Sequence, residues 1–309
     1  MNVLVPQTIH PDGIDYLERH GLEVTVLPQD TPAQVAKHIV SADGVLIRTT
    51  PLPKDILQKA PRLKVIARHG IGLDEIDQAY CVEKGIGVYN TPRANVNSVA
   101  EHVTSFILSL AHRIPEAVHA LRRDDYASRN RLIGMEVAGK TLGLIGFGNI
   151  AQEVAKKCGT GLGMKVVAYD PQKETFPDGV EHVHTLDALA RRSAFVSVHV
   201  PLLQTTRNMI DRTFFDAMQP ASYFINAARG GIVDETALIE AITSGKLAGA
   251  ALDCYAEEPM PVFFPLKGMD NVLLTPHMAA HTEDSMRAMA VGAAEAIVRE
   301  LISEKGEDS

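Results

Sequence analysis

The sequence predicts an α/β protein with two parallel-sheet domains, and three observations carry that expectation. The chain has 309 residues, 46% of them apolar, which is more than one small core needs and suits two domains of about 100–200 residues each. Short apolar runs of strand length alternate with amphipathic stretches through both halves. A G-x-G-x-x-A turn, Gly146 to Ala151, follows one of these runs and opens a helical pattern.

In chain order, Asn2–Val5, Glu23–Leu27, Gly44–Ile47, Lys64–Ala67 and Gly87–Tyr89 read as strands, many bounded by Gly or Pro, with helical patterns in most of the gaps. Strand, helix, strand repeated in this way implies a parallel sheet covered on both faces, because parallel neighbours need a crossover. Residues 97–121 follow as a long helix, with Val99, Val103, Phe106, Ile107, Leu110 and Ile114 at helical spacing and Pro115 as a kink or break. After a polar stretch at 122–131, a second series of strands reads at Thr141–Ile145, Lys165–Tyr169, Phe195–Val198, Tyr223–Asn226, Ala248–Leu252 and Val272–Leu274. A last amphipathic helix near 283–301 has no strand after it and is expected to return to the first domain. Crossings near 95 and 287 then give one domain from residues 1–95 and 287–309, a second from 96–286, and a hinged cleft between them.

Composition excludes several classes. Thirty Lys and Arg against 38 Asp and Glu give a net charge of −8, which disfavours reading a nucleic-acid backbone. The N-terminal Met-Asn-Val-Leu-Val-Pro has no cationic leader pattern and no apolar run is of membrane-spanning length, so the expectation is a cytoplasmic protein with no membrane association. Cys81, Cys158 and Cys254 are widely spaced without a CxxC pair, which points to reduced structural thiols. His277 and His281 have i, i+4 spacing, but no HExxH or cysteine cluster accompanies them, and no metal is expected.

The glycine turn carries the cofactor signal. Gly146 permits the tight turn, Gly148 lets backbone approach a pyrophosphate, and Asn149 and Ile150 present N–H groups where a helix begins. The next strand ends at Asp170, near the position of a ribose-binding carboxylate. A 2′-phosphate about 4 Å from that carboxylate is repelled by roughly 4 kcal/mol at an effective dielectric of about 20, so NAD is preferred to NADP. Lys173, nearby in sequence, softens that preference if it reaches the site; a plain turn cap before Pro171 is the simpler role for Asp170.

Three further segments lie where strands of the second sheet should end: 226–235 with Arg229, 253–259 with Glu258, and 275–277 with His277. Ligands of open α/β sheets bind at such carboxyl ends. An arginine, a carboxylate and a histidine suffice to hold a 2-oxo acid and move one proton while a nicotinamide moves a hydride.

With these pieces, Gly-Ile-Gly72-Leu-Asp74, Lys-Thr-Leu-Gly-Leu-Ile-Gly-Phe-Gly148, Ala-Ala-Arg229-Gly-Gly, Glu-Glu258-Pro and Thr-Pro-His277, the chain resembles the D-isomer-specific 2-hydroxyacid dehydrogenase family over nearly its whole length. Within the family it is most similar to the phosphoglycerate dehydrogenase catalytic core, through Ile47-Arg48, Ala67-Arg68-His-Gly-Ile-Gly and Arg229-Gly-Gly-Ile-Val-Asp-Glu; hydroxypyruvate and glyoxylate reductases share much of the pattern. The resemblance implies a Rossmann NAD-binding domain inserted into a flavodoxin-like substrate domain, D stereochemistry and a homodimer. It makes His277 the acid in reduction and the base in oxidation, oriented by Glu258, with Arg229 on the substrate carboxylate. It places Gly70, Ile71 and Gly72 in a loop whose amides hold the carboxylate, and Asn95 on substrate at the hinge. His199, Val200, Pro201 and Thr206 match positions on the adenosine and phosphate side of the cofactor, and Ala227, Asp253 and Ala280 match positions around the nicotinamide. The departures are Ala151 for the usual third glycine and the cluster Gly159 to Gly163, expected to lengthen the turn after the helix.

Arg48 and Arg68 each close a strand of the first domain and are expected to face the cleft. Two cations beside Arg229 imply a second anionic group on the substrate, a phosphate or sulfonate on C3, so 3-phosphoglycerate leads, with sulfolactate, hydroxypyruvate and glyoxylate as alternatives. An NAD(H)-sensing interaction protein is the alternative of another class; the compact length and absence of a disordered tail weigh against it. The apolar stretch from Val99 to Ile114 exceeds what one interdomain contact needs and predicts a homodimer built around it.

Overall fold

The computed structural model describes residues 1–303. Among these the chain divides into two units, Met1–Asn95 with the chain from Ala280 on, and Val96–Ala279.

Unit 1 runs β1 (Asn2–Val5), α1 (Pro11–Arg19), β2 (Glu23–Val26), α2 (Pro32–His38), β3 (Gly44–Ile47), α3 (Lys54–Leu57), β4 (Val65–Arg68), α4 (Gln78–Lys84) and β5 (Gly87–Tyr89), and the chain's last helix (Glu283–Ser303) completes it. The strands form a parallel sheet in the order β2-β1-β3-β4-β5, the flavodoxin-like order. β3 and β4 are buried along their whole length because both faces are covered. Val35, Ile39, Leu57 and Cys81 pack on one side, and Leu17, Ala290, Ala293, Ala294 and Ile297 on the other. Helix starts follow side-chain chemistry: Thr31 accepts from Gln34 N–H, and Asp77 from Tyr80 N–H.

Unit 2 begins with α5 (Val96–Ala111) and α6 (Ile114–Leu121) and continues through β6 (Thr141–Ile145), α7 (Asn149–Ala155), β7 (Lys165–Tyr169), β8 (Val180–His182), α8 (Leu186–Arg192), β9 (Phe195–Val198), α9 (Arg212–Ala217), β10 (Ser222–Asn226), α10 (Glu235–Thr243), β11 (Leu247–Leu252) and β12 (Val272–Leu274). The last helix is therefore α11. The sheet order is β12-β11-β10-β9-β6-β7-β8, all parallel. The order reverses at the β6/β9 junction, which marks the ligand end of a doubly wound sheet.

Several expectations change. The interruption that Pro115 signalled in 97–121 makes two helices: Arg113 takes a left-handed φ of 54°, and Pro115 lies in the first turn of α6, where its missing N–H costs nothing. The apolar residues of α5 are occupied within unit 2, where Val103, Phe106, Ile107 and Leu110 pack with Leu142, Leu144 and Val154. Further along, Ile114, Val118, Leu121, Tyr126 and Ile133 are exposed. The cluster Gly159 to Gly163 is taken up by a wide π-type turn at Lys156–Gly161 after α7. The second crossing falls between Ala279 and Ala280, before the expected 287. Residues 280–286 bind within unit 1: Arg48 meets His281 Nε2 at 2.9 Å, and Ser285 Oγ donates to Ala94 O at 3.3 Å. Among the described residues no helix is long and apolar enough to cross a membrane.

Candidate active site

The candidate residues of unit 2 lie at the carboxyl ends of its strands. Beyond β6, Gly146 turns with φ 86°, and a Cβ there would stand 2.7 Å from Val200 Cγ1 and 2.8 Å from His199 O; only glycine lets the turn lie against the β9 loop. Gly148 starts α7 with nothing within 4 Å of a Cβ position, which leaves its outer side open. Asp170 follows β7, and its Oδ2 accepts from Phe147 N–H at 2.9 Å while Oδ1 accepts from Gln172 N–H at 2.9 Å. The carboxylate thus caps its own turn and also braces the glycine turn. Lys173 Nζ stands 5.3 Å over the Phe147 ring beside it.

After β9, His199 donates its backbone N–H to Ile145 O at 2.7 Å, while its ring Nε2 is buried without a hydrogen-bond partner. Burial lowers the His199 pKa to about 4, so the ring is neutral near pH 7. The open side of the glycine turn at Gly148 fits a dinucleotide phosphate, and the orphaned His199 nitrogen is enclosed within the neighbouring loop. Thr206 is used inside its loop: its hydroxyl donates to Pro201 O at 2.7 Å and accepts from Leu203 N–H at 2.8 Å. It shapes the loop carrying Val200 and Pro201.

After β10, buried Asn226 holds the next loop from both sides, accepting from Ala228 N–H at 3.0 Å and donating to Arg229 O at 2.9 Å. Ala227 lies inside that turn. Arg229 Nη1 donates to Ala228 O at 2.8 Å. Gly230 then passes so close to the loop after β11 that a Cβ would lie 1.8 Å from the Tyr255 carbonyl carbon. Glu235 fastens the same junction by accepting from Ala256 N–H at 2.7 Å. The loop of Arg229 and the loop of Glu258 are therefore locked together by backbone contact.

Glu258 accepts from Tyr255 N–H at 3.0 Å through Oε1, and its Oε2 lies 2.7 Å from His277 Nδ1. Burial opposes ionisation of Glu258, but the His277 hydrogen bond and charge, the Tyr255 N–H and Arg229 together hold it below the ordinary glutamate range. An ionised carboxylate only accepts, so Nδ1 carries a proton and Nε2 faces away from Glu258. His277 has a left-handed φ of 50°, a conformation that needs support in a residue with a side chain. Asp253 supplies it. This carboxylate, 1% exposed, accepts from Met278 N–H and Ala279 N–H at 2.8 Å each and from Thr275 Oγ1 at 2.5 Å. Asp253 was expected beside the nicotinamide; here its oxygens organise the His277 loop, a role invisible in sequence because its donors lie more than 20 residues away. Ala280 follows as the first residue of the returning segment of unit 1.

In unit 1, Gly70 has φ 132°, and its N–H donates to Thr91 Oγ1 at 3.0 Å. The resemblance offers that amide to a substrate carboxylate; in this structure it is engaged by Thr91. Thr91 N–H and Asn90 Nδ2 hold the carbonyls of Gly70 and Ile71 at 2.9 and 2.8 Å, leaving the amides of Ile71 and Gly72. Arg68, expected to face a ligand, is 9% exposed and folds under this loop, with its Nη1 on His69 O and its Nε 3.7 Å from Glu75 Oε2. Glu75 faces it at ion-pair distance inside the unit, without a hydrogen bond between Nε and Oε2. Arg48 is half-buried against His281, and Asn95 is buried where the first segment of unit 1 ends. His277 and His281 lie on irregular chain ahead of α11, without the helical geometry of an i, i+4 metal pair, and among the described residues no three His, Cys, Asp or Glu are grouped to hold a metal.

Comparison with known proteins identifies the family. The sequence model of the D-isomer specific 2-hydroxyacid dehydrogenase NAD binding domain matches residues 104–279. The chain is similar to a D-3-phosphoglycerate dehydrogenase of Methanocaldococcus jannaschii, 41% identical over 312 residues, which cover 100% of this chain and 59% of that protein. It is also similar to a hydroxypyruvate reductase of Thermotoga maritima, 42% identical over 290 residues, covering 92% of this chain and 93% of the relative. Among solved structures it resembles the TT0316 protein of Thermus thermophilus, with a TM-score of 0.90, 32% identity, and 99% and 97% of the two chains covered. The chain thus spans little more than half the length of the phosphoglycerate dehydrogenases it matches and nearly all of the reductase.

Proposed function

Because the chain belongs to the D-isomer-specific 2-hydroxyacid dehydrogenase family, with that family's NAD-binding domain, we propose that it interconverts a small D-2-hydroxy acid and its 2-oxo acid. The observation that carries the reading is the 2.7 Å contact between His277 Nδ1 and Glu258, on a loop locked to that of Arg229. NAD held along the β6, β7 and β9 loops would supply the two-electron exchange at C2. Gly146, Gly148, Asn149 and Ile150 would hold its phosphates, Asp170 its ribose, and His199, Val200, Pro201 and Ala227 would line its remaining length. In the reductive direction His277 Nε2 gives a proton to the C2 oxygen, and Glu258 stabilises the imidazolium beforehand by accepting from Nδ1. In the oxidative direction Nε2 takes the hydroxyl proton. Arg229 pairs with the substrate carboxylate through a planar, permanently charged fork. From unit 1, the amides of Ile71 and Gly72, the side chain of Asn95 and the Arg48 guanidinium are assigned as substrate-binding groups.

The substrate class follows from the remaining cation. Arg48 favours an acid bearing a C3 phosphate, with 3-phosphoglycerate first. A second reading, hydroxypyruvate reduction, gains from the internal pairing of Arg68 and from the similarity to a reductase over 93% of its length. Rates on 3-phosphoglycerate, glycerate and hydroxypyruvate for the wild type and Arg48→Ala decide between them. Under the first reading Arg48→Ala raises the 3-phosphoglycerate KM by roughly 10- to 100-fold, the loss of one charge-assisted bond, and leaves glycerate unchanged. Equal effects on all three acids, with hydroxypyruvate the best wild-type substrate, select the second.

The homodimer belongs to the same proposal, built on α6: Ile114, Val118 and Leu121 share one face by their spacing and are exposed, as are Tyr126 and Ile133 beyond it.

A further inference from the structure

We propose that His102, on α5, is a positioning residue for His277, acting through Thr275 and Asp253. The inference rests on the dehydrogenase reading for its consequence, and on geometry alone for the clamp.

His102 Nε2 lies 3.2 Å from Thr275 Oγ1 and 3.7 Å from Asp253 Oδ1. Thr275 stands two residues before His277. Its hydroxyl has one proton and gives it to Asp253, since an ionised carboxylate cannot donate. Towards His102 the hydroxyl can therefore only accept, which fixes the proton of the neutral imidazole on Nε2. The chain of bonds runs His102 Nε2–H to Thr275 Oγ1, Thr275 Oγ1–H to Asp253 Oδ1, and from the other side Met278 N–H and Ala279 N–H to the same carboxylate. His277 sits between the two anchored ends with its φ of 50°. Burial lowers the His102 pKa against the opposing pull of Asp253, in keeping with a neutral ring that donates rather than a cation paired with the carboxylate.

The ring is held in turn. It packs edge-on against Phe106 one turn along α5, with centroids 4.3 Å apart, and Phe106 belongs to the core beneath the sheet. A rigid helix thus sets the donor, the donor sets the Thr275 hydroxyl, and the hydroxyl and carboxylate set where Nε2 of His277 points. The same carboxylate without the His102 bond would still accept from three donors, but Thr275 would lose the one partner that fixes its hydroxyl from the helix side. The Thr275 backbone stays fixed by Leu252 O and the Tyr255 hydroxyl, so what loosens is the Thr275–Asp253 bond and with it the carboxylate that holds the Met278 and Ala279 amides after His277; proton transfer is steeply sensitive to small displacement.

The test compares the wild type with His102→Phe, which keeps an aromatic ring against Phe106 but has no donor, and His102→Gln, whose amide reaches the position of Nε2. With a 2-oxo acid and NADH, His102→Phe is expected to lower kcat by roughly tenfold while the KM for NADH changes by less than about twofold, and His102→Gln is expected to recover most of the rate. Amide hydrogen exchange at Met278 and Ala279 reads the clamp without turnover: it speeds up in His102→Phe and returns towards wild type in His102→Gln. Wild-type exchange at both amides in His102→Phe overturns the proposal, as does an equal loss of kcat in both variants. A wild type that reduces no 2-oxo acid overturns the dehydrogenase reading instead, and the exchange result still decides the clamp.

Discussion

At Gly230 the backbone of one functional loop touches the backbone of another, and a single methyl group tests how much the site depends on that contact. A Cβ 1.8 Å from the Tyr255 carbonyl carbon cannot be absorbed by a rotamer change, because the obstacle is backbone. Gly230→Ala is expected to cost about 3 kcal/mol of stability and to part the Arg229 and Glu258 loops. Calorimetry reads the first effect and kcat the second; a variant with wild-type melting and rate would show that the two loops are not coupled. The placement of Arg229, Glu258 and His277 on strand-end loops of one unit was legible in sequence. What the sequence did not show was which polar groups are already engaged. Gly70 N–H, the Thr206 hydroxyl, Arg68 and Asp253 all have partners inside their own unit; those of Gly70 and Asp253 lie 21 and 26 residues away, while those of Thr206 and Arg68 are local.

Strands buried on both faces announce themselves as apolar runs, and for that reason those of both sheets were legible to within a residue or so, with one exception. β8 is three residues at the sheet edge, Val-Glu-His, with its middle side chain exposed, and it offers neither an apolar run nor a clean alternation. The break between α5 and α6 was signalled by Pro115, but the division of their apolar surface was not. Periodicity alone does not distinguish a stripe that meets its own sheet from one that meets a partner. The exposed face of α6 is assigned to a second copy of the chain. Val118→Glu with Leu121→Glu is expected to convert a dimer to a monomer in light scattering, with the far-ultraviolet circular dichroism unchanged. A monomeric wild type contradicts the assignment.

Across the whole molecule, buried neutral histidines set the acid limit of stability. Burial, reinforced by the charges of Arg48 and Arg68, lowers the His69 pKa to about 4, while its ring lies 3.1 Å from the Met286 carbonyl oxygen. The unfolded chain binds a proton there below about pH 6.5 and the folded chain only below about 4, so stability is full above pH 6.5 and falls between those values. At pH 5 His69 alone removes about 2 kcal/mol. His199 acts in the same direction, and Glu258, with its lowered pKa, adds to the loss as pH falls through the carboxylate range. The melting temperature should therefore fall between pH 7 and pH 5, and His69→Asn should flatten part of that fall; a pH-independent melting temperature contradicts the argument.

The central claim is that His277, held by Glu258, moves the proton of an NAD-dependent 2-hydroxyacid dehydrogenase. Its most direct test follows NADH absorbance with hydroxypyruvate, glyoxylate and the oxidative pair of glycerate and 3-phosphoglycerate, comparing wild type with His277→Ala. The account predicts turnover of at least one acid by the wild type, and a loss in kcat of roughly a thousandfold in the variant with NADH affinity retained. A wild type that binds NADH and turns over none of these acids, or a variant that turns over as fast as wild type, would contradict it.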